Sequence, residues 1–111
     1  RVRDGAVDAD DLTALLDLAA HPKVYVKLGP LHGLGDGQAP FTDLTPLLQA
    51  IISAFGAARC MWETDCGGPL KMQHPESDLL ASVDVIRNAE FLSVSDKDAI
   101  LATTARQLLW A

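Results

Sequence analysis

A carboxylate at the end of an apolar segment is the first feature of this sequence that could do chemistry. The segment RCMWET occupies positions 59–64, and Asp65 follows it directly, before the chain-breaking run Gly67-Gly68-Pro69. A strand holds its last residue firmly while leaving that residue open, so Asp65 can act as a general base on water or as a metal ligand. The alternative is an ordinary loop aspartate that caps a turn.

Three further side chains are candidates for lining a substrate site beside Asp65. His32 lies shortly after an earlier apolar segment, His74 lies in the loop after Asp65, and Cys66 adjoins it. No histidine base stands next to Cys66, which disfavours a thiol nucleophile. The alternative for both loop histidines is a solvated position without a role. His21, at the opposite end of the earlier segment, is interpreted as structural.

The surrounding pattern predicts the elements that position these residues. Apolar residues at helical spacing, and β-branched or aromatic runs bounded by glycine and proline, predict helices and strands respectively. The predicted helices cover 8–20, 43–55, 77–91 and about 95–109, and the predicted strands cover 23–29 and 60–64. This order, α-β-α-β-α-α with a long connection between the strands, predicts a parallel βαβ crossover.

Local signals predict the helix ends and the buried faces. Asp8 or Asp10 is a suitable N-cap for the first helix, and Gly56 is the expected C′ residue of the second. The run Ser95-Asp96-Lys97-Asp98 resembles a capping box that opens the last helix. The apolar residues of the third helix that we expect to face inward are Leu79, Leu80, Val83 and Ile86.

Loop lengths predict which end of the strands is functional. The loops after the strands, 29–42 and 65–76, are long, whereas the returns from helix to strand are short. In βα folds the site is built from loops at the carboxyl ends of strands. If Asp65 and Gly29 lie at one level of the sheet, Lys27 and Glu63 lie side by side below them. We therefore expect an interior Lys27–Glu63 ion pair, because a buried charge must be paired. The alternative is that Lys27 reaches solvent from an edge strand.

The composition predicts one packed domain and excludes two kinds of partner. Hydrophobic residues make up 49% of the 111 residues, and the net charge is −6 with Lys and Arg scattered singly. No basic cluster could neutralise nucleic-acid phosphates or an anionic membrane. No apolar run approaches the roughly 18–20 residues of a membrane span. Two cysteines do not make a disulfide framework, so we expect reduced thiols in a cytoplasmic protein.

Three stretches of the chain together resemble the carboxyl-terminal third of the amidohydrolase-2 family. They are LAAHPKVYVKLGPLHG, DLTPLLQAIISAFGAARCMWETDCGGP and ILATTARQLLW. The resemblance implies a (β/α)₈ barrel of the metal-dependent hydrolase superfamily. Residues 1–111 would then be an incomplete domain, a partial TIM-type barrel made of about the last two βα units with a preceding and a terminal helix. A two-stranded parallel sheet with open edges fits such a part of a larger sheet.

The resemblance also implies an activity and a role for Asp65. Family members hydrolyse lactones or amides or decarboxylate acids, often with Zn²⁺, and the aspartate closing the last strand binds metal or takes the proton from water. That role falls on Asp65. About three protein ligands hold a catalytic zinc, so the remaining ligands would lie in the upstream barrel. This chain alone is expected to bind no divalent metal and to be inactive.

Departures from the family pattern leave the substrate open. Glu63 and Thr64 stand where the family has Gly and Ser, Cys66 replaces Trp, and Thr104 replaces Asn. The expected partners are a small-molecule substrate and the remainder of the barrel. The alternatives are a metal-dependent decarboxylase of the same family, a degenerate enzyme, and a non-catalytic α/β interaction domain.

Overall fold

The computed structural model describes residues 2–3 and 6–110, which form a mixed α/β fold around two parallel strands. The elements in chain order are β1 (Val2–Arg3), β2 (Ala6–Val7), α1 (Ala9–Asp17), β3 (Val26–Leu28), α2 (Thr45–Phe55), β4 (Cys60–Trp62), α3 (Pro75–Arg87), α4 (Val94–Asp98) and α5 (Thr104–Trp110). A π-helical turn, Ala99–Thr103, joins α4 to α5, so that α1, α2, α3 and this composite last helix are the four helices. The predicted α/β class is confirmed, and the closed barrel stays a prediction.

The short antiparallel ladder of β1 and β2 is a feature that the sequence analysis missed. Val2 pairs with Val7, and Arg3 pairs with Ala6. Each strand has only two residues, too few to show an alternating pattern.

None of the helices in the described ranges is both long and apolar enough to cross a membrane.

The helix ends of α1 and α2 follow the predicted capping signals. The Asp8 carboxylate accepts hydrogen bonds from the backbone N–H groups of Asp10 and Asp11, both at 3.0 Å. This confirms Asp8 as the N-cap and satisfies two of the donors that a helix leaves unpaired at its start. Gly56 ends α2 with a φ of 79°, a conformation that glycine adopts without a steric penalty. Its N–H donates to the Ile52 carbonyl.

Strands β3 and β4 pair in parallel, and one face of the pair builds the core. Leu28 and Cys60 on that face are buried with the apolar side of α2, and Val26 and Trp62 pack against them from the same face. The predicted alternation along both strands is therefore confirmed. Lys27, Met61 and Glu63 take the opposite face, because successive strand residues alternate between faces. Met61 is also buried, whereas Lys27 is exposed.

The register between the strands differs from the predicted one by two residues. Lys27 stands opposite Met61 and Leu28 opposite Trp62, which brings Gly29 to the level of Glu63 and not of Asp65. A Cβ atom on Gly29 would lie 2.3 Å from the Glu63 carbonyl oxygen, so glycine permits this close approach. Asp65 consequently projects further beyond the end of β3 than we predicted.

The inward face of α3 also differs from the prediction. The helix buries Asp78, Ser82 and Ile86, whereas Leu79 and Leu80 are 38% and 61% exposed. Asp78 and Ser82 can be buried because each has a local hydrogen bond. The Asp78 carboxylate accepts from the His74 N–H at 3.0 Å, and the Ser82 hydroxyl donates to the Leu79 carbonyl at 2.8 Å. The prediction from apolar spacing is correct for Ile86 and wrong for Leu79 and Leu80, and Val83 is half-buried.

The N-cap of the last helix is Ser93, two residues before the predicted cap Ser95, and the helix begins at Val94. The Ser93 hydroxyl accepts from the Asp96 N–H at 3.1 Å, and the Asp96 carboxylate accepts from the Ser93 N–H at 3.4 Å. The predicted box of Ser95 and Asp98 is therefore wrong, although an aspartate does take the place of glutamate in the box that forms. Further along, the buried Thr104 hydroxyl donates to the Ala57 carbonyl at 3.0 Å, which fastens the helix beside β4.

Candidate functional site

Asp65 lies beyond the carboxyl end of β4 in a tight turn. Its φ is +50°, a left-handed conformation that is uncommon outside glycine but tolerated by aspartate. The Gly68 N–H donates to the Asp65 carbonyl at 2.9 Å, and the Cys66 N–H donates to the Thr64 hydroxyl at 3.1 Å. These two bonds fix the backbone on both sides of an exposed carboxylate.

Gly68 leaves the space that the Asp65 side chain occupies. A Cβ atom on Gly68 would lie 2.2 Å from one carboxylate oxygen of Asp65 and 2.6 Å from the other. Any larger residue would therefore displace the carboxylate from its position. Gly68 is thus part of how this chain seats Asp65.

Glu63 and Lys27 are a pair of oppositely charged residues next to this turn, on the strand side of it. The Lys27 Nζ and Glu63 Oε2 atoms are 3.9 Å apart, and the two side chains are 66% and 18% exposed. The predicted pair is therefore present, but it is not interior, since the ammonium group is mostly in solvent. The shifted register explains the long distance, because Glu63 stands opposite Gly29 and reaches Lys27 diagonally.

His32 contacts the loop that follows Asp65. Its Nε2 atom lies 2.9 Å from the Leu70 carbonyl oxygen. Since a carbonyl oxygen can only accept, Nε2 carries the proton in this bond. The structure thus brings His32 to the predicted end of the strands and joins it to the loop, whereas substrate contact stays a prediction.

His74 occupies the N-cap position of α3. Its backbone N–H is bonded to Asp78, and its carbonyl accepts from the Ser77 hydroxyl at 3.2 Å. The exposed side chain borders a shallow cleft lined also by Gln73, Pro75, Glu76, Ser77 and Leu80, which does not include Asp65. The substrate-lining role predicted for His74 stays a prediction.

The two cysteines have opposite environments and are both free thiols, as predicted. Cys66 is exposed beside Asp65, and Cys60 is buried in the strand pair. Burial raises the pKa of the Cys60 thiol from 9.0 to about 11, and the positive charge of Arg59 opposes that shift. Cys60 is therefore a protonated core residue at neutral pH, and Cys66 is the accessible thiol at the carboxyl end of the strands.

Arg59 is the polar residue that the sequence analysis missed. It donates to the carbonyls of Phe55, His21 and Ala19 at 2.8–2.9 Å, and its guanidinium lies 5.3 Å from the centre of the Phe55 ring. It thereby ties the end of α2 to the segment that enters β3. In the sequence Arg59 is marked only as a cation directly before a strand, and this does not indicate its two carbonyl partners 38 and 40 positions away. The structural interpretation of His21 agrees with this contact.

A second cleft does not contain Asp65 either. It has a volume of about 660 Å³ and lies between the start of α2 and the end of α3, where Thr45, Leu48, Val85 and Phe91 are among its walls. None of residues 60–74 lines it. The Asp65 turn is instead exposed at the carboxyl end of the strand pair.

A complete metal site is not formed by the residues in the described ranges. No group of three or more His, Cys, Asp or Glu side chains converges there. A catalytic zinc needs about three protein ligands, so Asp65 with these neighbours does not fit a metal ion, and the predicted zinc stays a prediction.

Comparison with known proteins gives one match. A family model described as Amidohydrolase, the amidohydrolase-2 model, matches residues 3–110. Neither the curated proteins nor the solved structures compared with the chain contain a match.

Proposed function

The chain belongs to the amidohydrolase family, and from this premise we propose that Asp65 is the general base of a hydrolytic active site. The membership indicates a hydrolase-type function and confirms the resemblance drawn from the three sequence stretches. The finer proposal is that the substrate is a lactone or an amide. We also propose that this chain forms the carboxyl-terminal part of a (β/α)₈ barrel whose other strands complete the site.

The single observation that carries the proposal is the placement of the Asp65 carboxylate. It is exposed beyond the end of β4, in a turn fixed by Thr64 and Gly68, and it forms no ion pair with another of the described residues. A general base must be free to accept a proton while its position is held. An aspartate that only capped the turn would have its carboxylate occupied by backbone donors.

The proposed reaction consumes one water molecule, and Asp65 transfers one proton from that water to the leaving group. The Asp65 carboxylate takes a proton from water as the water oxygen attacks the carbonyl carbon. The tetrahedral intermediate then expels the alkoxide of a lactone or the amine of an amide. Asp65 returns its proton to that leaving group, so the carboxylate is regenerated. The product is a hydroxy acid or a carboxylic acid with an amine.

The test is the Asp65→Asn variant of the complete gene product. Wild type and variant are assayed on a panel of aliphatic and aromatic lactones and amides, and separately on carboxylic acids for release of CO₂. We expect a loss of about 10²- to 10⁴-fold in kcat/KM, the usual contribution of a general base. Asp17→Asn is the matched control. Asp17 is exposed at the carboxyl end of α1, and its side chain makes no capping hydrogen bond.

Two results would overturn the proposal in different ways. Unchanged hydrolysis by Asp65→Asn would remove Asp65 from the chemistry. Turnover of carboxylic acids with CO₂ release, without hydrolysis of any lactone or amide, would replace the proposed reaction by decarboxylation.

A further inference from the structure

The two loops at the carboxyl end of the strand pair meet at one hydrogen bond. His32, in the loop after β3, donates from Nε2 to the Leu70 carbonyl, in the loop after β4, across 38 positions of sequence. Because the acceptor is a main-chain carbonyl, the contact does not depend on the type of side chain at position 70. The bond therefore acts on the path of the second loop.

The loop that carries His32 is firmly attached to the core. Leu31 and Phe41, on either side of it, are 2% and 1% exposed. The Asp43 carboxylate accepts from the Asp36 N–H at 3.0 Å, which closes the loop on itself. Gly37 lies against the His32 carbonyl, since a Cβ there would come within 2.9 Å of that oxygen. The backbone on both sides of His32 is thus held by the core and by the loop itself.

The loop after β4 rests on this support. Leu70 packs against Gly33, where a Cβ atom would lie only 2.5 Å from Leu70 Cδ1. At its ends the loop is fixed by the Asp65–Gly68 turn and by the bond from His74 to Asp78. For residues 69–73 between those ends, the bond from His32 is the hydrogen bond that ties the segment to the first loop.

We propose that His32 is a positioning residue, which holds the loop 66–74 and through it the Asp65 carboxylate. This inference rests on the proposed function of Asp65. It replaces the predicted contact between His32 and substrate by an indirect role. The carboxylate sits against Gly68, only two residues before Leu70, so a displaced Leu70 moves the turn that seats Asp65. Misplacement of a reacting group by about 1 Å can reduce a rate by roughly 10²-fold.

The first experiment compares His32→Leu with His32→Gln in the complete gene product. Leucine cannot donate to the Leu70 carbonyl, whereas the glutamine amide can donate from a similar distance along the side chain. For His32→Leu we expect amide hydrogen exchange in 66–73 to rise roughly three- to ten-fold, as for loss of one hydrogen bond. We also expect kcat to fall about ten-fold with little change in KM. His32→Gln should restore both, and His21→Leu, an exposed histidine at the other end, should change neither.

A double-mutant cycle at Gly33 and Leu70 tests the same support without touching His32. Gly33→Ala places a methyl group against Leu70 Cδ1 and should loosen the loop. Leu70→Ala removes the obstructing atoms. The double variant should therefore show less exchange in 66–73 than Gly33→Ala alone, because contacting positions are not additive.

The outcomes separate this proposal from the one on which it rests. Unchanged exchange in His32→Leu, or raised exchange with unchanged kcat, would overturn the positioning role even if Asp65→Asn were inactive. A rise in KM alone would assign His32 to substrate contact and overturn it as well. Activity that survives Asp65→Asn would overturn the proposed function, and the exchange measurement would still show whether His32 holds the loop.

Discussion

The two ends of the parallel strand pair are built in opposite ways. At the amino end, Arg59 donates to three main-chain carbonyls, and the Thr104 hydroxyl donates to a fourth beside it. At the carboxyl end, the charged groups have few partners. Asp65 is exposed in a left-handed turn, and Lys27 lies 3.9 Å from Glu63.

The contacts at the amino end therefore stabilise the fold, whereas the groups at the carboxyl end are available for chemistry. Buried carbonyls that lose their donors destabilise a fold, since each must be desolvated without compensation. An exposed carboxylate contributes little to folding but keeps its capacity to accept a proton. Substitutions at the amino end should therefore change stability, and substitutions at the carboxyl end should change activity.

The largest expected change in stability is that of Arg59→Met. Methionine keeps the length of the apolar stem but removes the donors to Phe55, His21 and Ala19. We expect the free energy of unfolding to fall by about 3 kcal/mol, because hydrogen bonds from a charged donor are worth roughly 1.5–3 kcal/mol each and water partly replaces them here. Urea denaturation measures it, with Arg59→Lys as an intermediate case. A loss below about 1 kcal/mol would show that the amino end is not the stabilising one.

The second prediction concerns Cys60 at alkaline pH. Burial holds the pKa of this thiol near 11 in the folded chain, whereas the pKa is 9.0 without burial. Between pH 9.0 and pH 11 the folded state therefore retains the thiol proton and the unfolded state releases it. Stability therefore falls as pH rises through this window, by roughly 2 kcal/mol in total.

The Cys60→Ala variant isolates this contribution. Its free energy of unfolding, followed from pH 8 to pH 11, should decline less steeply than that of the wild type, because alanine has no proton to release. Cys66→Ala is the matched control for removal of a thiol, since that side chain is exposed at the other end. Parallel curves for wild type and Cys60→Ala would contradict the account.

The smallest change in stability is expected for Gly68→Ala, at the carboxyl end. The added methyl group would overlap the Asp65 carboxylate, which can rotate into solvent, so stability should change by less than about 0.5 kcal/mol. Activity should fall by roughly ten-fold because the base is displaced.

Gly67→Ala provides the opposite pattern within the same turn. Gly67 has a φ of 92° and no atom that a Cβ would meet within 4 Å. Alanine there should lower stability by about 1 kcal/mol through backbone strain and leave the Asp65 carboxylate unobstructed. Equal activities in Gly68→Ala and Gly67→Ala would contradict the close seating of Asp65.

The sequence predicted the parallel strand pair, its two faces and the end at which Asp65 lies. These features follow from short-range rules, because strand residues alternate between faces and parallel strands need a crossover. The caps at Asp8 and Gly56 were predicted for the same reason, since each depends on neighbouring residues.

Features that depend on partners distant in sequence were not predicted. The register of β3 against β4 brings Gly29 close to Glu63, and no local sequence pattern records this approach. Arg59 meets carbonyls up to 40 positions away. The inward face of α3 was misassigned because Asp78 satisfies its charge with a local hydrogen bond, which spacing of apolar residues cannot reveal.

The most direct test of the central claim is a crossed comparison of Asp65→Asn and Arg59→Met in the complete gene product, measuring kcat/KM and the free energy of unfolding for each. We predict that Asp65→Asn loses about 10²- to 10⁴-fold in kcat/KM with its unfolding free energy within about 0.5 kcal/mol of the wild type. Arg59→Met should lose stability and, while folded, retain activity. Full activity in Asp65→Asn, with or without a loss of stability, would contradict the assignment of the carboxyl end as the catalytic end.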